Sequence, residues 1–345
     1  MTVSYAAMRT TSRPRQGLLQ RRILGAVVAC CLLACDPTLP KTESTSPPVD
    51  SAAAATSSAV AAASVAPPSA SDDGKAYEYD AELFEKKRKA RPGDWLHRFP
   101  QTGLTFDEYA KMDVVRATEQ RNKIVLQPLG EFRDAEQLEH LQVFTAAFFD
   151  TPTTIAKPQP LPKKGLRTRG QQGRTFRQAH AGMLLDYLGS KLPSDAVCLL
   201  GVTMTDLYPE PSWNYVFGQA TLDERVGVYS LARYYPAFWN QTNTAAARRK
   251  AVLRSFKVLA HETGHMFSME HCVRYECVMN GSNSLEEMDR SPAHLCPQCL
   301  KMLQWNLRFD VRKRYERLRE IYRREGLEEQ AAWLDRRLAK LGDSH

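Results

Sequence analysis

Three quarters of the way along the chain stands His261-Glu262-Thr263-Gly264-His265, and nothing else constrains the surrounding fold as much. Histidines four residues apart face one another only on a helix, one turn apart on the same side. The segment must therefore be helical for both imidazoles to reach one metal ion, and a long helix is predicted over 244–268. His271 follows six residues after His265, and Met279 lies beyond it. His261, His265 and His271 are candidate ligands of one Zn²⁺. Glu262 is the candidate general base, taking a proton from metal-activated water and delivering it to a leaving amine. With eight His in 345 residues, chance produces this arrangement on the order of once in several thousand such chains. A lone histidine is usually packing and a lone helical glutamate a solvated charge; the triple at this spacing outweighs both readings.

Cysteine usage adds a second cluster. Cys272 directly follows the third histidine, then come Cys277, Cys296 and Cys299, in the pattern C-x4-C-x-M-x16-C-x2-C. Their number and softness suit a tetrahedral thiolate zinc site. Two disulfides compete, since an exported chain can form them, and a nucleic-acid-binding zinc ribbon is a third reading. Charge placement disfavours the last. Of the net +8, five positive charges sit in 1–34, which has no acid, and three in 306–345, leaving 35–305 neutral. A neutral body is a poor phosphate-binding surface, so no nucleic-acid partner is expected.

Those first arginines precede a twelve-residue apolar run, 23–34. It is too short to span a bilayer comfortably and reads as the h-region of an export signal, covering 1–34. The run ends Leu32-Leu33-Ala34-Cys35 and resembles a bacterial lipobox, making Cys35 a candidate lipidation site and the mature protein a membrane-anchored lipoprotein on the periplasmic or cell-surface side. A soluble secreted protein is the alternative. Cys30 and Cys31 fall in the leader. Residues 35–75 are rich in Ala, Ser, Pro and Thr and read as a disordered tether. The ordered domain is expected over 76–305, with a charged tail of two amphipathic helices over 306–345, broken at Gly326.

Within the domain, 81–90 reads as helix-like, 92–95 as a turn anchored by Trp95, 124–129 as a strand and 135–149 as a helix. A basic, proline-rich loop is expected over 151–173 and a second helix over 176–192. Residues 196–203 form a continuous apolar strand, which places Cys198 in the core as an inert thiol. Strands alternating with helices imply a mostly parallel sheet. The short connection between the strand-like runs 214–220 and 227–232 makes one strand antiparallel.

The three histidines and Met279 together resemble the metzincin clan of zinc peptidases. The cysteine pattern, the stretch Asn280 to Asp289, Leu200 to Tyr208, and Val216-Phe217-Gly218 resemble the archaemetzincin family within it, over roughly 94–303. The resemblance implies an α+β, metzincin-type zincin. Its mixed, mostly parallel sheet has one antiparallel edge strand, a backing helix (176–192), an active-site helix, and a small zinc-stabilised C-terminal subdomain. It implies a zinc-dependent metallopeptidase acting on peptides or proteins, with Met279 as the Met-turn floor beneath the metal. It also favours zinc over disulfides at the cysteines, giving two zinc ions per chain. The alternative is a non-catalytic zinc-stabilised lipoprotein that presents a binding surface. An extended substrate is expected to add to the strand at 226–232, taken as the sheet edge. One departure stands out: metzincins usually have Gly three residues after the second His, where this chain has Ser268. If the backbone there is left-handed, Ser costs roughly 1 kcal/mol.

Overall fold

The computed structural model describes residues 77–132, 136–171 and 173–342; the leader, Cys35 and the tether expected over 35–75 lie outside the described residues. Two short helices come first, α1 (Trp95–Arg98) and α2 (Phe106–Lys111). In α2, Thr105 and Glu108 form a reciprocal capping box, which satisfies two otherwise orphaned N–H groups. The central sheet is then built from β1 (Lys123–Leu129), followed by α3 (Glu136–Phe149) and the short β2 (Thr153–Ile155). A separate hairpin, β3 (Leu166–Gln171) and β4 (Arg174–His180), leads directly into α4 (Ala181–Gly189). Next come β5 (Ala196–Thr203), β6 (Asp206–Tyr208), β7 (Gly218–Ala220) and β8 (Val226–Ser230), then the long α5 (Ala245–Met266). Four helices finish the chain: α6 (Leu285–Arg290), α7 (Pro297–Leu307), α8 (Val311–Arg324) and α9 (Glu328–Leu341).

The five-stranded sheet runs β2-β1-β5-β8-β7, with β7 antiparallel to β8 and every other pairing parallel. All eight residues of β5 are buried, as an unbroken apolar run requires of a strand covered on both faces. One face, carrying Val125, Leu199 and Val228, packs on Leu184, Leu185 and Leu188 of α4. The other, carrying Ile124, Leu126, Leu200 and Val202, packs with Phe144 and Phe148 of α3 and Phe256 of α5. The sheet thus seats α5 rigidly by its apolar side. This is the mixed, mostly parallel sheet with one antiparallel edge strand that the motifs imply.

Four expectations need correction. The edge strand is β7, not 226–232; β8 lies inside the sheet between β5 and β7. The helix expected over 176–192 begins only at Ala181, because the preceding residues pair as β4 with β3 and β6 and His180 caps Met183 N–H. The loop expected over 151–173 contains β2 and β3. Finally, 81–90 is no helix: after a turn at 81–83 it runs along the cysteine-rich loop, with Lys87 N–H bonded to Arg274 C=O at 3.0 Å and Glu276 N–H to Glu85 C=O at 2.9 Å.

The charged tail forms the two expected helices, with Gly326 at φ +66° between them. Its apolar residues Tyr315, Leu318, Tyr322 and Leu334 share one core with Phe144 and Phe148. Arg314 Nε donates to Phe148 C=O at 2.6 Å, and Trp333 Nε1 to Leu83 C=O at 3.0 Å. The core therefore continues past residue 305 without a break. Among the described residues, no helix is long and apolar enough to cross a membrane.

Candidate active site

Thr244 caps α5 by accepting from Ala247 N–H, and the helix ends beside the first residues of β5 and β8, where Cys198 Sγ reaches Met266 C=O at 3.9 Å and Met266 lies against Gly227. It then stops abruptly. Met269 N–H bonds to Gly264 C=O at 3.2 Å and Ser268 N–H to His265 C=O at 2.8 Å, a Schellman-type ending that requires a left-handed residue at Ser268. Ser268 has φ +63°. The cost of that conformation is offset by its hydroxyl, which donates to Leu222 C=O at 2.7 Å and accepts from Val115 N–H at 3.0 Å. A serine thus performs the turn usually given to glycine and brings His271 back to the helix end.

The three imidazoles converge. His261 and His265 Nε2 are 3.1 Å apart, and one ring nitrogen from each of His261, His265 and His271 falls within 4.8 Å of the others. Tetrahedral zinc at ordinary Zn–N lengths needs ligand nitrogens about 3.3 Å apart. Each Nδ1 is held by an oxygen: Val278 C=O at 2.9 Å for His261, Met269 C=O at 2.6 Å for His265, and Gln101 Oε1 at 2.9 Å for His271. Those contacts set the tautomer that leaves Nε2 as donor to a metal. His271 Nε2 is buried with no protein partner. Burial holds His261 down at about 4, and burial with the neighbouring His261 holds His265 at about 3, so both rings are neutral as ligands must be.

Glu262 lies 1% exposed, and its Oε2 has no hydrogen-bond partner. Burial pushes its carboxyl well above the usual range, a cost that a divalent cation close by would offset. Gly218 on β7 makes room for it: a Cβ there would stand 2.5 Å from Glu262 Oε1. Gly264 does the same for the floor, since a Cβ there would meet Met279 Sδ at 2.6 Å. Met279 is fully buried, and Cys272 N–H bonds to its carbonyl at 2.8 Å, tying the His271 loop to the Met turn.

Cys272, Cys277, Cys296 and Cys299 are buried, and their sulfurs lie within 4.8 Å of one another. Cys272 and Cys296 Sγ are 3.7 Å apart, against about 3.8 Å for two thiolates on tetrahedral zinc. Cys277 Sγ accepts from Cys296 N–H and Cys296 Sγ from Cys299 N–H. Hydrogen bonds from the other three thiols, Cys277 first, hold Cys272 well below the usual thiol range, whereas burial pushes Cys277 up. Cys299 is pushed up as well, by its thiol neighbours first, and a divalent cation would offset that cost at both raised thiols. Cys198 is fully buried in β5, and burial raises its thiol, as expected of an inert core residue.

Several residues escaped the sequence reading. Gln101 Oε1 also accepts from Trp95 Nε1 at 3.0 Å, and the indole lies edge-on to His271. Gly281 lets that indole rest on the loop backbone, 2.5 Å from where a Cβ would be. Glu287 accepts from Trp95 N–H and Asn283 N–H. Lys257, one turn before His261, is buried and donates to Met288 C=O and Ser291 C=O, closing the end of α6. Apart from the Asn283–Glu287 bond, which spans four residues, these pairings join positions 6 to 192 residues apart and have no local sequence signal. Replacing Gln101 with Ala should weaken metal binding about 10- to 100-fold, measurable by chelator competition, with little change in thermal stability.

The family profile "Peptidase family M54" matches residues 183–305. Archaemetzincin-2 of Homo sapiens is 33% identical over 274 residues, covering 71% of this chain and 76% of the relative. The chain belongs to the archaemetzincin family. Family membership makes it a zinc metallopeptidase that acts on peptides or proteins. Archaemetzincin-1 of Homo sapiens is more distant, 29% identical over 255 residues, covering 65% of this chain and 51% of that one. Among solved structures, archaemetzincin (AmzA) from Archaeoglobus fulgidus is 27% identical, covering 52% of this chain and 99% of that one, with a TM-score of 0.41. Archaemetzincin from Methanopyrus kandleri is 29% identical, covering 55% and 98%, with a TM-score of 0.41.

Proposed function

We propose that His261, His265 and His271 hold the catalytic zinc of this peptidase and that Glu262 is its general base. The convergence of three oxygen-anchored imidazoles beside a buried carboxylate without a partner carries the reading. When bound, zinc supplies a Lewis acid that acidifies water and polarises a peptide carbonyl. The protein supplies the remainder. Glu262 takes the proton of the attacking water and returns it to the leaving amine, and Gly218 leaves space for that carboxylate.

The substrate is proposed to lie along β7. Ser230 N–H bonds to Phe217 C=O and Thr221 N–H to Val226 C=O, so odd-numbered residues turn their main-chain groups toward β8. By the antiparallel alternation, Gly218 and Ala220 turn theirs to the free edge. An extended peptide pairing there would pass directly beside Glu262. The four cysteines are proposed to hold a second, structural zinc that fixes the His271 loop. Export and lipid anchoring at Cys35, outside the cytoplasm, are proposed as well, on the arginines before the apolar run 23–34 and its Leu32-Leu33-Ala34-Cys35 ending.

Metal and thiol counts test the pair of sites. Two zinc ions per chain, falling to one in a variant lacking His261 and His265, is the expected result. One ion with no titratable thiols at the four cysteines would point to disulfides instead.

A further inference from the structure

Beside the histidines opens a cleft of about 390 Å³, lined by Pro100, Gln101, Thr102, Gly103, Leu222 and Glu270 together with His265 and His271. Most of the wall is apolar or neutral. Glu270 is the exception, a half-buried carboxylate one residue before His271. Among the described residues, no hydrogen bond or ion pair engages its side chain. The charged neighbour acting on it is another acid, Glu108, which is itself occupied by Thr105. A carboxylate withdrawn from water without a partner is unfavourable; Glu276, Asp206 and Asp289 are paired with Lys87, Arg233 and Arg254, and Glu287 accepts from two backbone N–H groups.

We propose that Glu270 is the specificity-determining residue of this cleft and takes a lysine or arginine side chain of the substrate, next to the scissile bond. The inference rests on the peptidase reading above and names its substrate class. An amphipathic cationic side chain suits the cleft: its methylene stem lies against Pro100 and Leu222, and its charged end meets Glu270. A neutral side chain of equal length would fill the same space and leave the carboxylate unpaired. Specificity then arises from the penalty on the wrong substrate as much as from the bond to the right one.

The test uses the full chain and N-acetylated peptides that differ only at one position flanking the scissile bond, occupied by Lys, Arg, Gln, Met or Glu. Acetylation leaves the side chain as the cation under test. Lys or Arg at one flanking position should raise kcat/KM at least about tenfold over Gln or Met, the size of one charge-assisted hydrogen bond. Glu270→Gln should erase that preference by lowering cleavage of the Lys and Arg peptides and raising that of the Met peptide, with the zinc content unchanged. Glu270→Lys should favour the Glu peptide, a reversal that a purely structural role does not produce. Peptide binding measured in a Glu262→Gln background, without turnover, should show the same ranking. Chelator-sensitive cleavage with no preference for Lys or Arg, a preference that survives Glu270→Gln, or cleavage only of unblocked peptides would overturn this inference alone. No chelator-sensitive cleavage of any peptide would overturn the peptidase reading with it.

Discussion

Glu262→Gln should retain zinc at the three histidines and lose peptide hydrolysis by about 10²- to 10⁴-fold, the range a positioned general base contributes. The amide fits the same space and has no charge to bury, so the domain should melt no earlier than the parent. It has no basic oxygen to accept the proton of attacking water. Glu262 is buried to 1% exposure with one oxygen unpartnered. The effect should therefore fall on kcat. Moving the carboxylate should be nearly as damaging as removing its charge. Because a methyl at Gly218 would stand 2.5 Å from Oε1, Gly218→Ala should reproduce part of the kcat loss with zinc still bound. Cleavage by Glu262→Gln at the parent rate would remove the glutamate from the mechanism.

The second large effect is expected at the thiols. Cys277→Ser should abolish one of the two zinc equivalents and destabilise the domain by several kcal/mol, since zinc-binding free energy at such sites is folding free energy. Cys277 Sγ also accepts from Cys296 N–H at 3.3 Å, so the two thiol-bearing segments are tied at that point. The damage should reach the histidine site. His271 and Cys272 are adjacent, and Cys272 N–H holds Met279 C=O; loosening the thiol cluster loosens the third imidazole. Activity should fall more steeply than stability as denaturant is added. Thermal melts and zinc content, compared with Cys198→Ser as a buried thiol outside the cluster, measure this directly.

Some of this architecture was written locally and some was not. The helix carrying His261 and His265 is legible because its ligands are four residues apart and Thr244 marks its start. Strand β5 is legible as an unbroken apolar run. The cysteine pattern announces a cluster by spacing alone. The hairpin of β3 and β4 was hidden because Arg167, Thr168, Arg169, Arg174 and Arg177 show no apolar alternation; its apolar contacts come at one end, where Leu166 pairs with Ala179, and from Phe176 against Phe238. The segment at 81–90 is charged and helix-compatible, but its backbone is claimed by Arg274 and Glu276, almost two hundred residues away. Tertiary pairing overrides local preference there. Edge and interior strands differ only in what lies beside them, so β8 could not be told from β7 by sequence. The partner of His271 lay beyond any local pattern, because Gln101 precedes it by 170 residues. The Ser268 turn was readable as an anomaly, but its remedy, two hydrogen bonds from the hydroxyl, required Leu222 and Val115 in place.

The most direct measurement is hydrolysis of a peptide library by the full chain, before and after removal of metal by a chelator and after return of stoichiometric zinc. Cleavage that disappears with the metal, returns with zinc, and fails to return in Glu262→Gln is the predicted result. Cleavage that continues undiminished in chelator, in a chain shown to hold no zinc, would contradict the account.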